Sequence, residues 1–109
     1  MAKVKAVELR KIKDYVSEIN AICQVDKAVL FGSYARGIHK KDSDIDIAIF
    51  SRKINDSNRH EYLSLFLKHI LKYRLDIQPI VFNTKEYNSG MNSFIADEIK
   101  KKGKIIFSR

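Results

Sequence analysis

Residues 27–50 read KAVLFGSYARGIHKKDSDIDIAIF, and the fold turns on how this stretch is arranged. Lys27 to Phe31 is a short apolar run that ends at Gly32, the pattern of a buried strand. Ser33 is placed to cap a brief helical turn through Tyr34, Ala35 and Arg36, which Gly37 stops. From Asp44 to Phe50 the residues alternate, with Ile45, Ile47 and Ile49 on one face and Asp44, Asp46, Ala48 and Phe50 on the other. This predicts a strand with a buried isoleucine face. Asp44 and Asp46 then point the same way, about 7 Å apart along the backbone. A glycine lets phosphates approach the main chain, and amides at a helix start favour negative charge. A small-residue turn beside two aligned carboxylates is therefore suited to a nucleoside triphosphate and its metal ions.

The flanking segments complete an α/β (α+β) chain with a mixed sheet of about four strands. From Val4 to about Cys23, Val4, Val7, Ile12, Tyr15, Val16, Ile19, Ile22 and Cys23 recur at helical spacing and predict an amphipathic helix. Asp56 or Ser57 is expected to cap a second helix reaching about Tyr73, with Tyr62, Leu65, Phe66, Ile70 and Tyr73 as its apolar stripe. Leu75 to Phe82 reads as the third strand, and Pro79 within it lacks an amide donor, so a sheet edge or bulge is expected there. Asn83 to Asn92 reads as a polar loop. Met91 to Lys102 reads as a short helix that Gly103 ends before a last strand, Lys104 to Phe107.

Composition sets the outer bounds. A length of 109 residues predicts one domain, 1–109, with no second substrate-binding module. Apolar content of 45% fits a packed core. No stretch is long enough for a membrane-spanning helix, the N-terminus lacks the apolar core of a signal peptide, and the single Cys23 forms no internal disulfide. These features place the chain in the cytoplasm, with Cys23 as a buried small residue. Twenty-one Lys and Arg against thirteen Asp and Glu leave a net charge of +8, which attracts polyanions. The basic groups at Lys3, Lys5, Arg10, Lys11 and Lys13, and at Lys100, Lys101, Lys102 and Lys104, are not interleaved with aromatics as a single-strand binding platform would be.

Topology adds a third carboxylate. A strand, a crossover helix and a second strand form parallel neighbours, so Asp76, at the start of the third strand, falls beside Asp44 and Asp46. At about 4 Å and an effective dielectric near 20, each like-charge pair repels by roughly 4 kcal/mol. Such a cluster calls for cations, and oxygen ligands suit Mg²⁺ or Mn²⁺. Rival motifs fail on particular residues. Ile38 and His39 stand where a P-loop needs Lys and Ser/Thr. Ile47 and Lys53 stand where an EF-hand needs Gly and Glu. His39, His60 and His69 form no zinc pattern. Asp42 and Ser43 read as loop and turn residues, and Arg36 reaches either a phosphate or a neighbouring carboxylate.

Gly32-Ser33, Asp44-Ile45-Asp46 and Leu75-Asp76-Ile77 together resemble the nucleotidyltransferase superfamily that shares its catalytic core with the palm of DNA polymerase beta. GSYARG followed by SDIDI resembles its small members, the minimal nucleotidyltransferases (MNT). The resemblance runs from about residue 27 to residue 82. It implies transfer of a nucleoside monophosphate from a triphosphate to a hydroxyl. Asp44, Asp46 and Asp76 would be catalytic and hold two Mg²⁺ ions, while Gly32, Ser33 and Arg36 would bind the nucleotide, with ATP as donor. Stand-alone members resemble the antitoxin half of HEPN–MNT pairs, so a tyrosine of a HEPN ribonuclease toxin is the expected acceptor. A non-catalytic module that blocks its partner by contact, or a transferase acting on RNA ends or a small molecule, are the alternatives.

Overall fold

The computed structural model describes residues 6–37 and 44–109. Val4, Lys3 and Lys5, the Ile38-His39 pair, and the Asp42 and Ser43 turn lie outside the described residues. Helix α1 (Ala6–Ile22) leads into β1 (Lys27–Phe31) and a single helical turn, α2 (Gly32–Ala35). Strand β2 (Ile45–Phe50), helix α3 (Arg59–Lys68), a 3-10 turn (Leu71–Tyr73) and β3 (Ile77–Phe82) follow. Helix α4 (Thr84–Asn88), a π-helical segment (Ile95–Lys101) and β4 (Lys104–Ser108) complete the chain.

The four strands form one mixed sheet in the order β3-β2-β1-β4. β1 is antiparallel to β2 and β4, whereas β2 and β3 are parallel, as a crossover through α3 requires. Pro79 therefore sits in an edge strand, where its missing amide costs no ladder bond on the open side.

Both faces of the sheet are covered. Ile12, Tyr15, Val16 and Ile19 of α1 and Phe66 of α3 pack on Ala28, Leu30, Ile45, Ile47 and Ile49. The Tyr15 hydroxyl donates to the Phe66 carbonyl at 2.8 Å, joining the two helices without an unpaired buried group. On the opposite face Val29, Phe31, Ala48, Phe50 and Phe82 meet Ile95 and Ile99. Thus β2 is not buried on its isoleucine face alone; Ala48 and Phe50 are both fully buried beyond Asp46. Gly103 lets the π-helical segment return into β4: a Cβ there would lie 2.2 Å from the Ile99 carbonyl and 2.6 Å from Val29.

Several local expectations are corrected. Val7 is mostly exposed and lies off the apolar stripe of α1. α3 starts at Arg59 because the Asn55 side chain accepts from the Ser57 and Asn58 amides, holding an extra turn before the helix. The helix stops at Lys68 and gives way to the 3-10 turn, which α1 fastens: Glu18 accepts from Lys72 at 2.7 Å and from the Tyr73 hydroxyl at 2.5 Å. Those bonds, Lys72 first, hold the Glu18 carboxyl below its usual range. The stretch read as a polar loop contains α4, set by a capping box in which Asn83 accepts from the Lys85 amide and Glu86 accepts from the Asn83 amide. Cys23 is buried, as expected. Among the described residues, no helix is long and apolar enough to cross a membrane.

Phe50→Ala should lower unfolding free energy by about 3–5 kcal/mol, measured by urea denaturation, because the ring stacks on Phe82 at 5.3 Å and meets Tyr87 edge-on at 5.1 Å. A loss below about 1 kcal/mol would contradict a second buried face.

Candidate functional site

The site is assembled where β1 ends and β2 and β3 begin. Phe31 is the register partner of Asp46, so the turn after β1 stands over the second carboxylate of β2. Gly32 has φ +73, in the left-handed region that favours glycine. A Cβ on Gly32 would fall 2.4 Å from Asp46 Oδ2. The glycine is therefore fixed by two constraints at once, its own backbone angle and the carboxylate against it. α2 begins at Gly32, with Phe31 in the cap position and no side-chain capping bond. Ser33 is thus inside the first turn rather than its cap, because the left-handed Gly32 starts the turn one residue early. Gly37, at φ +69, ends the turn as expected, its amide bonding the Tyr34 carbonyl at 3.3 Å.

The three aspartates are placed by strand register. Ile45 pairs with Ile77 and Asp46 with Gln78 in the parallel ladder. The Ile45 amide donates to the Asp76 carbonyl at 2.7 Å, which ties the chain just before β3 to the start of β2. Extending the ladder by one residue sets Asp44 beside Asp76. Asp46 lies on the β2 face that carries Ala48 and Phe50, while Asp44 and Asp76 stand just before β2 and β3 rather than within them. Asp44 and Asp76 are exposed and Asp46 is half-buried.

Electrostatics separates them. Burial raises the Asp46 pKa above its ordinary value, and the neighbouring Asp44 charge raises it further. Asp76 acts on the other side of the turn: it helps push the Tyr34 hydroxyl up to about 12, after burial and the Glu8 carboxylate. The Tyr34 hydroxyl donates to Glu8 Oε2 at 2.9 Å, which fastens α2 to α1. Among the described residues, no three histidine, cysteine or carboxylate side chains converge closely enough to form a ready-made metal cage. Arg36 is exposed at the end of α2 and forms no ion pair among the described residues.

Divalent magnesium suits this donor set. All candidate ligands are carboxylate oxygens, Asp46 is held against Asp44 at an electrostatic cost that a cation would relieve, and only a hydrogen fits between Asp46 and the Gly32 α-carbon. Glu8 and Tyr34 are the positioning residues that the sequence reading missed. Their contact spans 26 residues, and no local pattern announces it.

The chain matches the family described as a nucleotidyltransferase domain over residues 9–106. A Methanocaldococcus jannaschii protein named "Putative protein adenylyltransferase" is 30% identical over 102 residues, which are 92% of this chain and 98% of that relative. Among solved structures, a "putative nucleotidyltransferase" from Sulfolobus solfataricus has a TM-score of 0.66 at 24% identity, over 93% of this chain and 80% of that one. A toxin-antitoxin complex with AMP-PNP gives 0.60 at 22%, over 93% and 73%. A tri-AMPylated Shewanella oneidensis HEPN toxin in complex with an MNT antitoxin gives 0.54 at 19%, over 93% and 70%. These likenesses establish the fold. With the family pattern running from α1 to β4 and a glycine turn set against Asp46 of β2, this chain belongs to the nucleotidyltransferase domain family.

Proposed function

We propose that the chain transfers AMP from ATP to a tyrosine hydroxyl of a HEPN ribonuclease toxin and so acts as the antitoxin of the pair. The observation that supports the reading is the start of the β2–β3 pair, where the Ile45 amide donates to the Asp76 carbonyl and Asp46 lies against the Gly32 turn. The relative named for protein adenylyl transfer matches along nearly its full length. Structural neighbours include a complex with an ATP analogue and one with an AMPylated HEPN toxin, which supports the choice of donor and acceptor.

In the mechanism, Gly32, lacking a side chain, keeps the turn close against Asp46, and Ser33 and the adjacent amides hold the β- and γ-phosphates of the triphosphate. Arg36, unpaired among the described carboxylates, is free to add a charge-assisted contact to phosphate. Asp44 and Asp46, joined by Asp76, would hold Mg²⁺, which when bound neutralises phosphoryl charge and acidifies the acceptor hydroxyl. The acceptor oxygen attacks the α-phosphorus, the bond to the bridging oxygen of pyrophosphate breaks, and Asp76 takes the hydroxyl proton. Catalysis of this kind is positioning and charge neutralisation, so it asks little covalent chemistry of the protein.

Asp44→Asn should reduce transfer of label from ATP to the product of the neighbouring gene by about a hundredfold or more, with the circular dichroism spectrum unchanged. Undiminished transfer would contradict the catalytic assignment. Toxin neutralisation that survives in Asp44→Asn, with no label transferred by either protein, would favour contact-only inhibition.

Asp46 gives a test independent of activity. Its folded pKa is raised, so its ionisation opposes folding above that pKa and does nothing below the ordinary value of 3.8, where both states are protonated. Asp46→Asn should therefore raise the melting temperature at pH 7 without divalent ions, and the gain should fade as the pH falls toward 3.8. Added Mg²⁺ should raise the melting temperature of the wild type more than that of Asp46→Asn. Equal shifts in the two proteins would count against a metal at this carboxylate.

A further inference from the structure

Asp76 also borders a feature that the nucleotide does not use. A cleft of about 420 Å³ runs between the end of α3, the 3-10 turn and the start of edge strand β3, lined in part by Leu67, Ile70, Leu71, Arg74, Asp76 and Ile77. Leu71 is 85% exposed and Leu67 47%. Leu67 near the end of α3 and Leu71 in the 3-10 turn leave an apolar rim facing solvent. Arg74 stands at φ 56, the one non-glycine residue at positive φ among the described residues. The segment holding these residues is firmly placed, since Glu18 fastens Lys72 and Tyr73 to α1.

Two observations say what the cleft takes. It adjoins the proposed reaction site, because Asp76 lines it and the Asp76 carbonyl accepts from the Ile45 amide, one residue from Asp46. Its lining is five aliphatic side chains with Arg74, Asp76 and Gln78, and contains no aromatic ring. Single-stranded RNA is bound through stacked aromatics and several cations, so the lining does not suit an RNA end. It does suit apolar side chains flanked by a carboxylate.

We propose that this cleft docks the acceptor as a polypeptide segment: Leu67 and Leu71 receive its apolar residues, Arg74 pairs with an acidic residue, and its tyrosine oxygen is delivered to Asp76. The inference rests on the adenylylation reading and adds the surface that selects the acceptor. Arg74 and the leucines are specificity residues and take no part in the chemistry. The phenol loses its proton to Asp76 as its oxygen bonds the α-phosphorus and pyrophosphate leaves.

The test compares wild type, Leu71→Asp and Arg74→Glu with labelled ATP and the product of the neighbouring gene as acceptor. Leu71 is exposed enough that its replacement leaves folding intact, and Leu67→Asp serves as a second probe of the same rim. Each variant should keep wild-type ATP affinity and melting temperature, while KM for the protein acceptor rises about tenfold or more and kcat changes little. Wild-type kcat/KM in all variants, with the wild type active, would overturn the docking surface alone. Loss of self-association with unchanged transfer would assign the rim to a second copy of the chain, and would overturn it too. An inactive wild type would instead overturn the adenylylation reading beneath it.

Discussion

Strand β2 is buried on both faces yet carries Asp46 at its second position, with Asp44 just before it, and this constraint governs the placement of everything else. Ile45, Ile47 and Ile49 contribute to one core and Ala48 and Phe50 to the other. Burying each large side chain is worth about 1.5–3 kcal/mol. A slip of one residue would exchange these faces and drive Asp46 into the isoleucine core, where an unpaired charge costs several kcal/mol. The register is therefore held by hydrophobic packing, and it sets where Asp44 and Asp46 emerge. Neither carboxylate needs a stabilising partner of its own. Indeed the raised pKa of Asp46 marks a place where the fold tolerates an unfavourable charge, as sites built for cations do.

The surroundings then follow from how the neighbours of β2 are fastened. β1 delivers Gly32 to Asp46 because Phe31 and Asp46 are register partners. β3 delivers Asp76 because the crossover through α3 makes it parallel. At the other end of the sheet Asp26 accepts from the Arg52 amide at 3.0 Å and from the Thr84 hydroxyl at 2.6 Å, closing the loops after β2 and β3 together. Burial opposes the Asp26 charge, but these bonds outweigh it and hold its pKa below the ordinary value. Asp26 thus serves the scaffold, at the end of the sheet away from the Gly32 turn. Lys101 and Lys102 pair with Asp97 and Glu98 on their own segment, and Lys27 and Lys100 lie over the Tyr87 ring at 4.1 and 5.0 Å. Much of the C-terminal lysine group is engaged within the chain, which weakens it as an RNA platform.

What the sequence made legible was whatever rests on short-range periodicity. The alternation through Phe50, the apolar runs of β1 and β3, the edge position of Pro79 and the stripe of α1 report local faces. They match the structure except that Val7 is off the stripe, β2 begins at Ile45 rather than Asp44, and β3 at Ile77 rather than Leu75. The starts of elements were less legible, because they are set by competing side-chain bonds. Asn55 delays α3, and Gly32 opens α2 before Ser33. α4 was legible in principle from Asn83 followed three residues later by Glu86, a capping signature overlooked within a polar stretch. At the site, spacing and topology singled out Asp44, Asp46 and Asp76 as candidates. The role of Gly32 against Asp46, the Tyr34–Glu8 bond and the leucine-rimmed cleft could not be read there, since each depends on residues brought together from distant elements.

The account's central claim is that the Gly32 turn and the three aspartates form one cation and triphosphate site. Crystals grown with Mn²⁺ and a non-hydrolysable ATP analogue test it directly through the anomalous signal of the metal. The account predicts manganese on the carboxylates of Asp44 and Asp46, with Asp76 drawn in beside it and the phosphates lying along Gly32 and Ser33. Manganese bound elsewhere, or a nucleotide bound with these three side chains left apart, would contradict it.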